Sequence, residues 1–541
     1  MGNTCAGGED GEDPGSFAPK SLKANLMREQ KNRDVFKYYE VTKVLGEGSM
    51  GAVSAARKKE SKIGGSAYKD CERRGIVSRF FGGKKSAFVD NASEHKKSYA
   101  LKTIQLNRIT DEFIEELRNE IDILRTLDHP NIVKAFEVFE NKRQIYIVME
   151  SCDGGDLYAR NPYSEKETAK IVGKVLSAVA YMHATNVCHR DLKFENIMFE
   201  NKKKNAEIKV IDFGLSKKFI SGKKMSEGVG TIYTMAPQVL QGVYTSQADL
   251  WSIGVIAYML LSSSKPFYAR KRRYMIDKIM RCDFKFHGPG WKHVSEEAKN
   301  FVSALIKLDP KKRLTAEQAL DHKWLSTEFS LTDRRPPEEF MNDVHGNIIS
   351  YHDTSEFKKM ALMVIAHKSS TAEIVKLRQA FDQYDSSNDG TITLVEFKGA
   401  LSEFNYTEED VEQMFESVDV DNSGTINYTE FLAATLEAHG HFEEDRLAEA
   451  FDRLDADDTG YISKKNLKQM LGTDYTAERV EQLMKDADTN EDGQISFQEF
   501  LDAVRKGNEY NMKKIVRMDT DGTSSQLVTV SAHIPGGKDD Q

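Results

Sequence analysis

Cysteine is scarce in this chain. Five residues (Cys5, Cys71, Cys152, Cys188, Cys282) are scattered over 541, odd in number and without a CxxC pair. Neither a disulfide framework nor a cysteine zinc site is indicated, and a reducing cytoplasm is the default compartment. No apolar run approaches the ~20 residues that a membrane-spanning helix needs. The longest, Trp251 to Leu261, contains Ser and Gly and reads as a buried helix. The amino terminus is acidic and Gly-rich, unlike a basic start followed by an apolar secretory core. Disorder throughout is excluded, because apolar residues make up 39% of the chain beside 30% charged. The length suggests three or four domains. The net charge of −9 hides a polarity: residues 371–505 hold 32 acidic and 11 basic side chains, while the remainder is basic. A basic body is thus tied to an acidic module, each a candidate partner for the other.

Composition divides the chain into five stretches. Residues 1–36 have few apolar groups and read as a flexible arm. Residues 37–325 mix strand-like and helix-like segments, as in an α+β enzyme domain. Residues 326–370 form a linker that ends in a short basic-apolar segment. Residues 371–508 are an acidic repeat with a period near 35, and 509–541 are polar and turn-rich. A repeat of that length sets architecture before any other signal.

Four twelve-residue loops begin at Asp385, Asp419, Asp455 and Asp488. Each has Gly at position six (Gly390, Gly424, Gly460, Gly493), where a sharp turn needs positive φ, and Ile at position eight. The oxygen ligands would come from positions one, three, five, seven and twelve. These are Asp385, Ser387, Asp389, Thr391 and Glu396 in the first loop and Asp419, Asp421, Ser423, Thr425 and Glu430 in the second. The third offers Asp455, Asp457, Thr459, Tyr461 and Asn466, and the fourth Asp488, Asn490, Asp492, Gln494 and Glu499. Glu at position twelve grips a hard cation with two oxygens, so the loops resemble the EF-hands of calmodulin and imply Ca²⁺. Asn466 offers only one oxygen there, which predicts the third as the weakest site.

The basic body carries Leu45-Gly46-Glu47-Gly48-Ser49-Met50-Gly51-Ala52-Val53, a GxGxxGxV stretch whose glycines let backbone amides approach a triphosphate. Alone it is weak evidence. Lys102, on an alternating strand, is placed for α- and β-phosphates, and Glu120 on the following amphipathic segment could pair with it. His189-Arg190-Asp191, Lys193 and Asn196 match the H-R-D-x-x-x-x-N loop, and Asp212-Phe213-Gly214 follows. Asp191 can accept a hydroxyl proton, while Asn196 and Asp212 can hold Mg²⁺.

On these motifs residues 38–325 resemble a Ser/Thr protein kinase domain, and residues 38–505 together resemble the calcium-dependent protein kinases of plants and protists. The resemblance implies a multidomain chain: a two-lobed α+β kinase fold followed by an all-α calmodulin-like domain with four EF-hands. ATP, Mg²⁺ and Ca²⁺ are the implied cofactors. It also implies Met149 as gatekeeper, Glu150 and Cys152 in the adenine-contacting hinge, Asp156 near the ribose, and Asp249 bracing the catalytic loop. Lys193 and Thr231 would flank Asp191. The implied substrates are proteins with Ser or Thr near basic residues, received by Glu195 and Asp156; no nucleic-acid partner is expected. The segment Phe357 to Lys368, basic and apolar, is expected to inhibit the kinase until the calcium-loaded module binds it.

Three features depart from or extend the pattern. Gln238 stands where a Glu would pair with Arg313, which predicts a neutral hydrogen bond in place of a buried ion pair. Phe194 replaces a usual Pro. A segment of about residues 58–98, with 11 basic and 5 acidic side chains, is inserted between Val53 and Lys102 and reads as a surface loop. Met1-Gly2-Asn3-Thr4-Cys5 resembles an acylation start, although Ala6 stands where Ser or Thr is preferred. A cytoplasmic protein with membrane association through that terminus is the expectation.

Overall fold

The computed structural model describes residues 21–48, 51–59, 98–220, 223–328, 336–371, 373–402, 404, 406–439, 444–505, 516–518 and 525–527. Most of the expected insert, and Gly2 and Cys5 with it, lie outside the described residues.

Six strands form one sheet: β1 (Arg28–Lys31), β2 (Tyr39–Gly48), β3 (Gly51–Lys58), β4 (Ser98–Gln105), β5 (Ala135–Glu140) and β6 (Gln144–Glu150). Their order is β1-β5-β6-β4-β3-β2; β1 runs parallel to β5 and every other pair is antiparallel. Strand β1 was expected to belong to a flexible arm. It instead alternates buried Arg28 and Gln30 with more exposed neighbours against β5. Helix α1 (Asp111–Thr126) begins where Thr110 accepts the Phe113 N–H, an N-cap that satisfies one orphan donor.

Beneath the sheet lies a helical lobe. Helix α2 (Glu165–Ala184) opens with a capping box between Ser164 and Glu167. Helix α3 (Gln247–Ser262) is buried from Ala248 to Leu261, as its mostly apolar run predicts. Trp251 stacks on Phe267 with ring centroids 5.5 Å apart. Helix α4 (Glu296–Leu305) completes the packing of that core.

After α5 (Glu338–His352) and α6 (Glu356–Lys368), four helix–loop–helix units follow. Their helices are α7 (Val375–Tyr384), α8 (Leu394–Ala400), α9 (Glu408–Val418), α10 (Tyr428–Thr435), α11 (Glu444–Leu454), α12 (Lys464–Leu471), α13 (Ala477–Ala487) and α14 (Phe497–Arg505). The position-eight isoleucines join the loops in pairs, Ile392 opposite Ile426 and Ile462 opposite Ile495. Helix α6 runs through the middle of this module, with Phe357, Met360 and Met363 in one apolar core with Phe381, Phe431, Phe451 and Phe500. Val516–Met518 pairs antiparallel with Ser525–Leu527.

Candidate functional site

The turn between β2 and β3 presents the Gly-rich stretch at the sheet edge. Gly51 is required by packing, because a Cβ there would stand 1.8 Å from the Thr103 carbonyl oxygen. Leu45 is exposed and Val53 half-buried on the two strands of that turn. Val53 lies directly opposite Lys102 on β4. Lys102 Nζ reaches Glu120 Oε1 of α1 at 2.5 Å and Asp212 Oδ1 at 3.7 Å. Burial works against the lysine charge, yet Glu120 and Asp212 hold its pKa above the ordinary value. The predicted lysine–glutamate pair is therefore formed.

The catalytic-loop candidates converge on Asp191. Lys193 Nζ donates to Asp191 Oδ2 at 2.6 Å and to Thr231 Oγ1 at 3.2 Å. Asn196 Nδ2 donates to the Asp191 carbonyl at 3.0 Å. Asp191 Oδ1 is buried without a hydrogen-bond partner among the described residues, which leaves one acceptor free for an incoming hydroxyl. A hairpin of Ile197–Phe199 with Ile208–Val210 holds Asn196 beside the segment that bears Asp212. The Ile211 N–H donates to the Asn196 carbonyl at 2.9 Å, and Asp212 itself adopts φ +64°. Asp249 accepts from the His189 and Arg190 backbone N–H groups at 3.0 and 2.9 Å, so it braces the loop. Burial would raise its pKa, but His183 and these donors lower it.

The hinge candidates are arranged differently from one another. Met149 and Glu150 end β6, but the Glu150 carboxylate turns into a buried network, accepting from Lys209 at 3.0 Å and from Thr371 Oγ1 at 3.1 Å. Cys152 is half-buried, and burial pushes its thiol well above the ordinary range. Asp156 caps the turn Leu157–Arg160 through the Tyr158 and Ala159 N–H groups. Glu195 is exposed and accepts from the Tyr233 hydroxyl at 2.7 Å.

Sequence reasoning passed over Glu227. Its carboxylate takes Arg190 Nη1 at 2.8 Å and the Lys217 ammonium, which ties the segment after Asp212 to the catalytic loop. Lys217 chiefly, with Arg190, holds its pKa below the carboxylate norm. The available signal was an acidic side chain among the hydroxyl residues Ser221, Ser226 and Thr231. Gln238 behaves as predicted, with Arg313 Nη2 3.4 Å from its amide oxygen. Arg313 also donates to the carbonyls of Gln247 and Lys307. Phe194 is buried with its ring 4.9 Å from Tyr158.

In the acidic module every loop folds around its first aspartate. Asp385, Asp419, Asp455 and Asp488 each accept the N–H of the position-six glycine at 2.7–2.9 Å, and those glycines have φ of +80° to +90°. Glu396, Glu430 and Glu499 reach back across their loops to backbone N–H groups near position three. In the second loop Asp419, Asp421 and Glu430 offer carboxylate oxygens all within 4.8 Å of one another. Burial first, then Asp421, pushes the Glu430 pKa up to about 7 against the pull of Lys23. Carboxylate oxygens gathered this closely fit a divalent cation, and the first and fourth loops carry the same residue types at positions one and twelve. The third does not, because Asn466 closes it, and Asn466 Nδ2 donates to Asp457 Oδ1 at 3.1 Å.

The two bodies meet on the side of the sheet that carries β5. Lys368 of α6 pairs with Glu137 at 3.1 Å, and Arg378 of α7 with Glu200 at 3.2 Å. Thr429 donates through its backbone N–H and its hydroxyl to Asp128, at 2.8 and 2.7 Å.

A protein kinase domain model matches residues 81–325, and an EF-hand domain pair model matches residues 374–436 and 444–505. The chain is 32% identical over 506 residues to calcium-dependent protein kinase 20 of Oryza sativa subsp. japonica, covering 92% of this chain and 85% of that protein. It is 33% identical over 531 residues to calcium-dependent protein kinase 17 of Arabidopsis thaliana, covering 94% and 97%. Calcium-dependent protein kinase 3 of the same rice is 35% identical over 427 residues, 77% of each chain. No described helix is long and apolar enough to cross a membrane.

Proposed function

As the chain belongs to the calcium-dependent protein kinases, we propose that it transfers the γ-phosphate of ATP to serine and threonine hydroxyls of proteins when calcium fills its EF-hands. The observation that carries this reading is the free, buried Oδ1 of Asp191, flanked by Lys193 and Asn196. Asp191 orients the substrate hydroxyl and takes its proton as the phosphoryl group moves. Lys193 balances the charge on Asp191 and reaches toward the transferred group. Lys102, fixed by Glu120, holds the α- and β-phosphates, and Leu45 and Val53 cover the adenine with the hinge backbone at Glu150 and Cys152. Mg²⁺, held by Asn196 and Asp212, supplies neutralisation of phosphate charge.

Regulation rests on α6. Ten of its thirteen residues are buried, and those from Phe357 to Ala366 other than Lys358 lie in the apolar core of the EF-hand module, which supports a cycle in which calcium draws this helix off the kinase. Basic residues upstream of the target hydroxyl are received by Glu195, which Tyr233 orients. Acylation at Gly2 and Cys5 brings the chain to membranes, and identical partitioning of wild type and Gly2→Ala would refute that. The main reading is tested by phosphorylation of a basic Ser/Thr peptide in calcium and in chelator. Wild type should be active only in calcium and Asp191→Asn inactive in both; activity that ignores the chelator would refute the calcium switch.

A further inference from the structure

The third loop, Asp455–Asn466, lacks the closing glutamate that Glu396, Glu430 and Glu499 supply to the other three. Its closing side chain directs an N–H donor at a ligand carboxylate, through Asn466 Nδ2 and Asp457 Oδ1. A hard cation needs two acceptor oxygens from that position. The loop nonetheless holds two positive charges from elsewhere in the chain. Asp458, at the fourth position, stands in the left-handed region with φ +58° and is partly exposed. Arg28 Nη2 lies 3.1 Å from Asp458 Oδ1, and the Arg33 guanidinium and the Tyr38 hydroxyl bind Oδ2. Both arginines also donate to the Ala456 carbonyl, at 3.0 and 3.3 Å.

These arginines belong to a segment that crosses from the kinase sheet to the module. Arg28 sits on β1, whose backbone pairs with β5. The Leu22 N–H donates to Asp474 at 2.8 Å, and Asn25 Nδ2 to the Gln469 and Met470 carbonyls at the end of α12. Arg453 of α11 donates to the Leu26 carbonyl at 3.2 Å. Leu22 and Leu26 are buried in the module's apolar core. The helices entering and leaving the third loop are therefore both gripped by this segment.

A second cation of the segment behaves differently. Lys23 Nζ pairs with Asp421 at 3.1 Å, and Asp421 is a ligand position of the second loop, so calcium there competes with it. Asp458 is no ligand position, and nothing in calcium loading requires its release.

We propose that the third EF-hand loop is a calcium-independent docking socket for the chain's own segment 22–33, with Arg28 and Arg33 as its bound cations. The segment straps the second loop pair to the kinase sheet whatever the calcium level. Only the consequence for activity rests on the calcium-switched kinase reading; the docking itself does not.

The test uses the full chain, with hydrogen exchange of peptides from residues 22–33 and calcium stoichiometry by equilibrium dialysis. In wild type, exchange of this segment should be slow and agree within about threefold between calcium and chelator, with three calcium ions bound. Loss of a charge-assisted pair is expected to speed that exchange roughly tenfold or more, in Asp458→Asn and equally in Arg28→Gln/Arg33→Gln. The triple variant should add little, because both changes break one contact. Asn tolerates the positive φ of position 458, so Asp458→Asn keeps the loop intact. Unchanged exchange in Asp458→Asn, protection lost in chelator, or four calcium ions in wild type would overturn the proposal. A kinase indifferent to calcium, with exchange as expected, would remove the functional reading and leave the socket standing.

Discussion

Removing the Lys368 ammonium should loosen the module from the kinase. Lys368 and Glu137 form a pair in which both side chains are almost fully buried, and Lys368 also lies 5.3 Å from the Phe136 ring centroid. Burial alone would raise the Glu137 carboxyl, but Lys368, Lys58 and Arg28 hold it at about 2, against an ordinary 4.5. At 1.36 kcal/mol per decade that corresponds to roughly 3 kcal/mol of favourable field on the carboxylate. Burial holds the Lys368 ammonium below its ordinary pKa despite Glu137, which offsets part of that gain, and Lys58 and Arg28 persist in Lys368→Met; the expected loss is roughly 1 kcal/mol, or about fivefold in an opening equilibrium. Hydrogen exchange of β5 in saturating calcium reads that opening. Glu137→Gln/Lys368→Met removes both charges and should recover most of the protection, because no unpaired carboxylate is left buried. A carboxyl with a depressed folded pKa contributes stability above its unfolded value that fades as pH falls toward 2. In Lys368→Met the folded pKa rises toward 4.5, so both the contribution and its pH dependence shrink. Exchange within threefold of wild type in Lys368→Met, or a double variant as fast as the single, would refute the reasoning.

Glu227→Gln should lower kcat roughly fivefold with little change in KM for ATP, since it removes charge-assisted bonds to Arg190 and Lys217 rather than a nucleotide contact; steady-state kinetics decide, and an unchanged kcat counts against it. Gln238→Glu should raise the thermal midpoint of the helical lobe by a few degrees, because Arg313, which burial pulls down to about 10, gains the carboxylate it lacks; calorimetry that shows no rise would disprove this. Lys23→Met should strengthen calcium binding roughly fivefold at one site by ending its competition for Asp421; titration calorimetry with an unchanged isotherm would contradict it. Asn466→Glu should raise the bound calcium from three to four, and a stoichiometry that stays at three would show that more than the closing ligand is missing.

Local chemistry made most of the site readable from the chain alone. A glycine at the sixth loop position is dictated by its own φ, and each first-position aspartate binds backbone only four and five residues on. Lys102 needed only an alternating strand and an amphipathic helix to meet Glu120. The weakness of the third loop was visible as one residue, Asn466, because a side chain's count of oxygens does not depend on tertiary context. The strap was not visible, and the reason is separation: Arg28 and Asp458 stand 430 residues apart. No periodicity, spacing or local composition links two such residues, and a stretch poor in apolar groups reads as an arm. Its structure comes from a borrowed strand edge on β5 and a borrowed core for Leu22 and Leu26, and neither resides in its own sequence. Glu150 errs from the same cause in a smaller way. The resemblance implied a hinge position for it, but the face its carboxylate takes is decided by Lys209 and Thr371, which arrive from two other parts of the chain. Through Thr371, at the start of the acidic module, the Glu150 side chain joins strand β6 of the kinase sheet to the other half of the protein.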